Sequence, residues 1–206
     1  MTKASSKTSS SNGGRCLSTD EFEEMADAVE HSADLSSQVK KFPRRWKWLI
    51  LSLHQAVQGT LVCTLRGVDT AGINVLNNKN AKEMWQWLDV DSRKTPHPAA
   101  PLERLAPMLD LFKRVKNTKH LQDPQRLTAT PQKNWDIKKL NSLRNEFGHF
   151  VPKSFSLEIS GLPRIASHCC NVIEHLALVH PTFAHHMTGN KNRRLRQAIA
   201  ALRSNL

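Results

Sequence analysis

Apolar residues recur along this chain at helical spacing, in blocks separated by polar or proline-rich text. Ser18-Thr19-Asp20, followed by Glu21, Glu23 and Glu24, is a helix start with acids where the helix dipole favours them. Phe22, Met25, Ala26 and Val29 carry that helix to about Val39. Phe42-Pro43 opens a second helix. Its stripe (Trp46, Leu49, Ile50, Leu53, Ala56, Val57, Leu61, Leu65) runs to Gly67 and is the longest and most apolar in the chain, which predicts a central helix. His54 lies beside the stripe and reads as a core or boundary histidine with one partner.

The middle of the chain is less regular. Residues 68–79 read as a loop, 81–88 as a short helix around Met84, Trp85 and Leu88, and 89–101, with three prolines, as a linker. The two tryptophans of the short helix, Trp85 and Trp87, read as closing a small core. Leu102, Leu105, Leu109, Phe112 and Val115 predict another amphipathic helix, and 117–133 a loop. Ile137, Leu140, Leu143 and Phe147 then define a helix that ends near His149, because Val151-Pro152 opposes its continuation. Residues 153–159 alternate and read as extended. The last core stripe is Ile165, Cys169, Val172, Ile173, Leu176 and Val179. Beyond it, 188–206 is basic, with a short helix at Leu195–Leu202.

No strand ladder is evident. The pattern predicts an all-α antiparallel bundle of four to five core helices. The expected organisation is a disordered tail over 1–17, a helical domain over 18–182 and a basic C-terminal extension over 183–206. The longest apolar run, Trp48–Leu53, is too short to span a bilayer, and the Ser/Lys/Thr-rich start has no signal-peptide core. No membrane partner and a cytoplasmic location are therefore expected. Cys16, Cys63, Cys169 and Cys170 show no disulfide-like spacing, consistent with a reducing compartment.

Charge sharpens this picture. The net charge is +12, yet residues 1–40 carry four Lys/Arg against seven Asp/Glu. Residues 41–117 carry thirteen against six, and 118–206 thirteen against five. A basic body suits a polyanionic partner, nucleic acid first.

The string Arg144-Asn145-Glu146-Phe147-Gly148-His149 closes the penultimate core helix. It joins a fixed cation, a carboxamide and a residue that moves a proton near neutral pH. Those are the parts needed to cleave RNA without a metal. On a straight helix Asn145 and His149 share a face, whereas Arg144 and His149 point about 140° apart. Fraying at Gly148, or a second chain, would bring both to one phosphate.

The string resembles the R-(polar)-x-x-x-H signature of the HEPN superfamily, small helical bundles that include ribonuclease toxins and antiviral effectors. The helix order, with one core helix after the motif, is compatible. The resemblance implies a metal-independent endoribonuclease that works as a homodimer with both motifs lining one cleft. It implies catalytic roles for Arg144 and His149, an orienting role for Asn145, and RNA as substrate. It also implies a toxin–antitoxin or antiviral setting, with an antitoxin or regulatory protein as a possible partner. The alternative is a catalytically inactive HEPN-like module that binds RNA or a protein partner. The modification-site tyrosine that some relatives carry two residues after the histidine is Val151 here, and the chain has no tyrosine.

No cofactor motif is present: the chain has no P-loop, no G-x-G-x-x-G and no H-E-x-x-H. His168-Cys169-Cys170-x4-His175 matches no common zinc spacing, and Cys169 falls on an apolar stripe, so no metal site is expected.

Overall fold

The computed structural model describes residues 19–66, 72–90, 98–121, 126–148, 156–179 and 189–206. The expected tail over 1–17, His149, Val151-Pro152 and the histidines at 180, 185 and 186 lie outside them. Among the described residues seven α-helices follow one another: α1 (Glu21–Ser36), α2 (Arg45–Arg66), α3 (Asn78–Leu88), α4 (Met108–Arg114), α5 (Pro131–Gly148), α6 (Leu162–Glu174) and α7 (Asn190–Asn205). A 3₁₀ turn (Ile73–Val75) precedes α3, and a π-helical turn (His175–Val179) extends α6. Among the described residues the only extended pairing is a single bridge, Leu76 with Leu105. The fold is the expected all-α bundle.

Asp20 caps α1 as the sequence predicts. Its Oδ1 accepts from the amides of Phe22 (2.9 Å) and Glu23 (2.8 Å). The Glu23 amide, more than any other group, holds the Asp20 carboxyl below its ordinary range.

Helix α2 is the centre of the bundle and touches α1, α4, α5 and α6. Leu49, Ile50, Leu53, Ala56, Val57, Leu61 and Leu65 are all fully buried. At 22 residues α2 is long and apolar enough, by length and composition, to cross a membrane, more than the Trp48–Leu53 run suggested. Two-thirds of its apolar window is buried in the bundle.

Helix α1 lies antiparallel on α2, its partners falling along one helix as they rise along the other. Ser32 Oγ meets Ser52 Oγ at 2.9 Å, Met25 packs on Gly59, and Cys63 Sγ reaches the Glu21 carbonyl at 3.4 Å. A Cβ on Gly59 would stand 3.1 Å from Met25 Cβ, so glycine sets how close the two helices come.

Two boundaries differ from expectation. The helix expected from Leu102 begins only at Met108. Pro107 disfavours helix at Ala106, and the segment instead runs beside the 3₁₀ turn, with the Ala106 amide donating to Val75 O (2.8 Å) and the Asn77 amide to Arg104 O (2.8 Å). Leu102 and Leu105 are left exposed. Conversely, α5 starts at Pro131, inside the stretch read as a loop. Pro suits a first helical position, and Thr130 Oγ1 accepts from the Lys133 amide at 3.2 Å. Trp85 is also exposed rather than part of a small core, whereas Trp87 packs against the main one.

The basic segment expected as an extension carries α7, which docks on α1 and α6. Leu195, Ala198, Ile199 and Leu202 are buried at i, i+3, i+4 and i+7. Its cations answer the acids of α1: Lys191 pairs with Glu23 (2.7 Å), and Arg194 with Glu30 (2.7 Å) and Asp27 (3.2 Å). Arg203 pairs with Glu174 of α6 at 2.6 Å. These pairs are partly exposed and contribute little each, but they turn the acid-first, base-last charge distribution into an internal match.

Leu195→Ala should therefore lower stability by about 2–5 kcal/mol. Urea unfolding reads this as a lower midpoint at unchanged slope. An unmoved midpoint would place α7 outside the cooperative unit.

Candidate functional site

Helix α5 buries Asp136, Ile137, Leu140, Leu143 and Phe147, and this face fixes where its other residues point. Arg144 and Asn145 lie off it and are exposed. A guanidinium nitrogen of Arg144 donates to Asn145 Oδ1 at 3.1 Å, so the carboxamide holds the cation. Glu146 accepts from Ser142 Oγ at 3.3 Å, and Glu158 from Ser160. Among the described residues neither glutamate, nor any other carboxylate, forms an ion pair with Arg144. The third motif residue, His149, follows the last residue of α5 and lies outside the described residues.

Arg144 forms part of the wall of an open groove of about 520 Å³ between α1, α2 and α5. Met25 and Gly59 also line it, Glu21 and Glu24 line its α1 side, and Leu51, His54 and Gln55 come from α2. Glu21 is tied to Arg66 at 2.9 Å.

The structure thus brings to Arg144 a histidine that the motif did not name. His54 is 6% exposed, and its Nε2 stands 3.3 Å from Asn141 Oδ1, one turn before Arg144 on α5. With the amide oxygen as acceptor, Nε2 carries the proton and Nδ1 the lone pair. Burial lowers the His54 pKa first. The Asn141 bond opposes that, and the Arg144 charge lowers it further. Near neutral pH the groove therefore presents a fixed cation beside a neutral imidazole, one group suited to an oxyanion and one able to accept a proton.

A second polar cluster joins α5 to α6. Asp136 is fully buried and accepts from Arg164 through both oxygens (3.2 Å each), from Gln132 Nε2 (3.2 Å) and from His168 Nδ1 (2.6 Å). The Arg164 guanidinium also lies 5.8 Å from the centre of the half-exposed Trp135 ring. Cys169 and Cys170 turn into the core. Burial raises both thiols, Cys170 to about 12, which makes them inert packing residues. Among the described residues no group of three His, Cys, Asp or Glu is placed to hold a metal ion.

Two signals for these residues were present in the sequence. His54 interrupts the apolar text of the central helix, and Asp136 sits at a core-facing position between Lys133 and Leu140. Neither reveals its partner, because Asn141 and His168 are reached only across helices.

Arg144→Ala should raise the His54 pKa, since it removes a repelling cation. Proton NMR titration of the imidazole checks this, and an unchanged titration would separate the two residues. Because the unfolded histidine binds a proton more readily than the folded one, the His54 contribution to stability is complete above about pH 6.5 and is lost progressively below it, as the pH falls through the lower folded pKa. Asp136→Ala should cost about 1–3 kcal/mol by leaving the His168 and Arg164 donors without their acceptor. A melting temperature equal to wild type would show the cluster to be energetically idle. No protein-family model matches this chain, no curated protein matches it and no solved structure matches its fold.

Proposed function

We propose that this protein is a metal-independent endoribonuclease of the HEPN type. The observation that carries the reading is Arg144: an exposed guanidinium, oriented by Asn145, unpaired with any described carboxylate and opening onto a groove that also holds a neutral histidine. A structural arginine at this position would be expected to bind an acid instead.

In this reading the 2′-hydroxyl of RNA attacks its neighbouring phosphorus. The 2′ proton passes to an imidazole, the bond to the 5′-oxygen breaks, and that oxygen takes a proton from a second acid. The products are a 2′,3′-cyclic phosphate and a free 5′-hydroxyl. Arg144 grips the non-bridging oxygens through its planar fork as charge develops there. Asn145 is a positioning residue, because an amide does not titrate. His149 carries the proton, and a homodimer supplies two copies of it. A toxin–antitoxin or antiviral setting, with an antitoxin or regulator as partner, follows from the HEPN resemblance.

One observation favours a second reading, a non-catalytic module that binds a protein partner. Glu24, which pairs with no described cation, lines the α1 side of the groove and would repel a phosphate while welcoming a basic side chain.

Cleavage of a mixed RNA pool in EDTA separates the two. The wild-type protein should leave cyclic-phosphate ends, and Arg144→Ala should cut about 100-fold more slowly while remaining folded. His149→Ala should abolish cleavage. Cutting by both variants at the wild-type rate would refute the assignment. Absence of cutting by a folded, dimeric wild type favours the binding module.

A further inference from the structure

A cluster of positive charge without an ion-pair partner among the described residues stands at one turn. Lys191, Arg194 and Arg203 are committed to acids of α1 and α6. Lys40, Lys41, Arg44 and Arg45 are not: no Asp or Glu occurs between residues 35 and 68, and among the described residues no ion pair involves any of the four. They occupy the turn between α1 and α2 and the first residue of α2. The turn has a fixed shape, since the Arg45 amide donates to Phe42 O (2.9 Å) and the Trp46 amide to Pro43 O (3.1 Å).

Two aromatic rings stand among these cations. Phe42 and Trp48 are each 50% exposed, the one with Lys41 Nζ and the other with Lys47 Nζ 5.3 Å from the ring centre. Rings half open to water beside unneutralised Lys and Arg are the elements of a single-strand platform: bases stack on the rings and phosphates meet the cations.

Trp48 also begins a stripe along α2. Trp48, Leu51, Gln55 and Gln58 are spaced by three or four residues and so share one face. Trp48, Leu51 and Gln55 line a shallow groove, and Leu51, Gln55 and Gln58 line the Arg144 groove, so the two are continuous. Trp48 to Gln55 is about 10 Å along the helix. Across the groove, Asp27 is tied to Arg194 and Glu21 to Arg66, which leaves Glu24 as the unpaired acid beside the path.

We propose that the 40–48 turn and the outer stripe of α2 form a docking track for single-stranded RNA, with Phe42 and Trp48 stacking bases, Lys41, Arg44 and Arg45 holding phosphates, and the strand running on to Arg144. The choice of RNA and the direction of the track rest on the ribonuclease reading. The interleaving of half-open rings with cations favours a strand, whose bases stack on the rings, over an anionic membrane.

The test is binding of a fluorescent, 2′-O-methylated oligoribonucleotide of about 12 nucleotides, within the range such platforms cover. Its blocked nucleophile keeps binding separate from cleavage. The full chain should bind it with an affinity that falls as salt rises. Trp48→Ala should weaken binding about tenfold, and Trp48→Phe should restore most of it. The combined Lys41→Ser, Arg44→Ser, Arg45→Ser variant should lower the salt slope by about 2–3. Trp85→Ala, which removes an equally open ring from α3, should change nothing. The proposal fails if Trp48→Ala binds like wild type, if a duplex of the same sequence depends on Trp48 equally, or if Trp48 governs retention on phosphatidylserine vesicles and not on RNA. Binding that needs Trp48 in a protein that cuts nothing defeats the nuclease reading alone. Cleavage that is indifferent to Trp48 defeats this one alone.

Discussion

The closeness of α1 to α2 is the constraint on which the rest depends. It is set at Gly59, where any side chain would press on Met25. With the helices at this distance Ser32 reaches Ser52, Cys63 reaches the Glu21 carbonyl, and the apolar back of α1 seals α2. Gly59 and Met25 also line the Arg144 groove. One glycine therefore serves both the packing and the site. The arrangement exchanges some helix propensity for a close approach.

The direction in which Arg144 points is decided by the rotation of α5 about its own axis. Two polar ties fix that rotation along with the apolar stripe. Near the start of the helix the buried Asp136 carboxylate is held by Arg164 and His168 of α6. In its second half Asn141 is held by His54 of α2. Such cross-helix ties specify one rotation where apolar contacts alone would tolerate several. The rotation these ties fix carries Arg144 and Asn145 on the remaining, exposed face.

Elements with a long, one-sided stripe were legible in the sequence. The capped start of α1, the buried run from Leu49 to Leu65, and the Ile137–Phe147 helix with Arg144 and Asn145 outside its core face all follow from periodicity. Periodicity failed where a second signal competed with it. Leu102 and Leu105 have helical spacing, but Pro107 and a pairing with the 3₁₀ turn hold their segment extended. The start of α5 is polar because it faces water, so it read as loop. The density of arginine in α7 concealed four buried residues. Of the site, the exposed arginine and its carboxamide were visible as a motif. His54 was legible as a core or boundary histidine with one partner, but its place beside Arg144 was not, because spacing within one helix carries no information about the helix packed against it.

The pairing of α7 with α1 also has a bearing on how the chain is made. Arg194 and Glu30 are 164 residues apart, and α1 is synthesised long before the helix that covers it. Until then Glu23, Asp27 and Glu30 stand without their cations, and part of the apolar surface of α1 is bare. On the ribosome the α1–α2 hairpin can form early from local contacts, while closure by α7 waits for the longest loop in the fold. The nascent chain thus carries a sticky, acid-edged helix for as long as the residues between α1 and α7 take to make, the interval in which a chaperone or a neighbouring nascent copy of the same chain would find it.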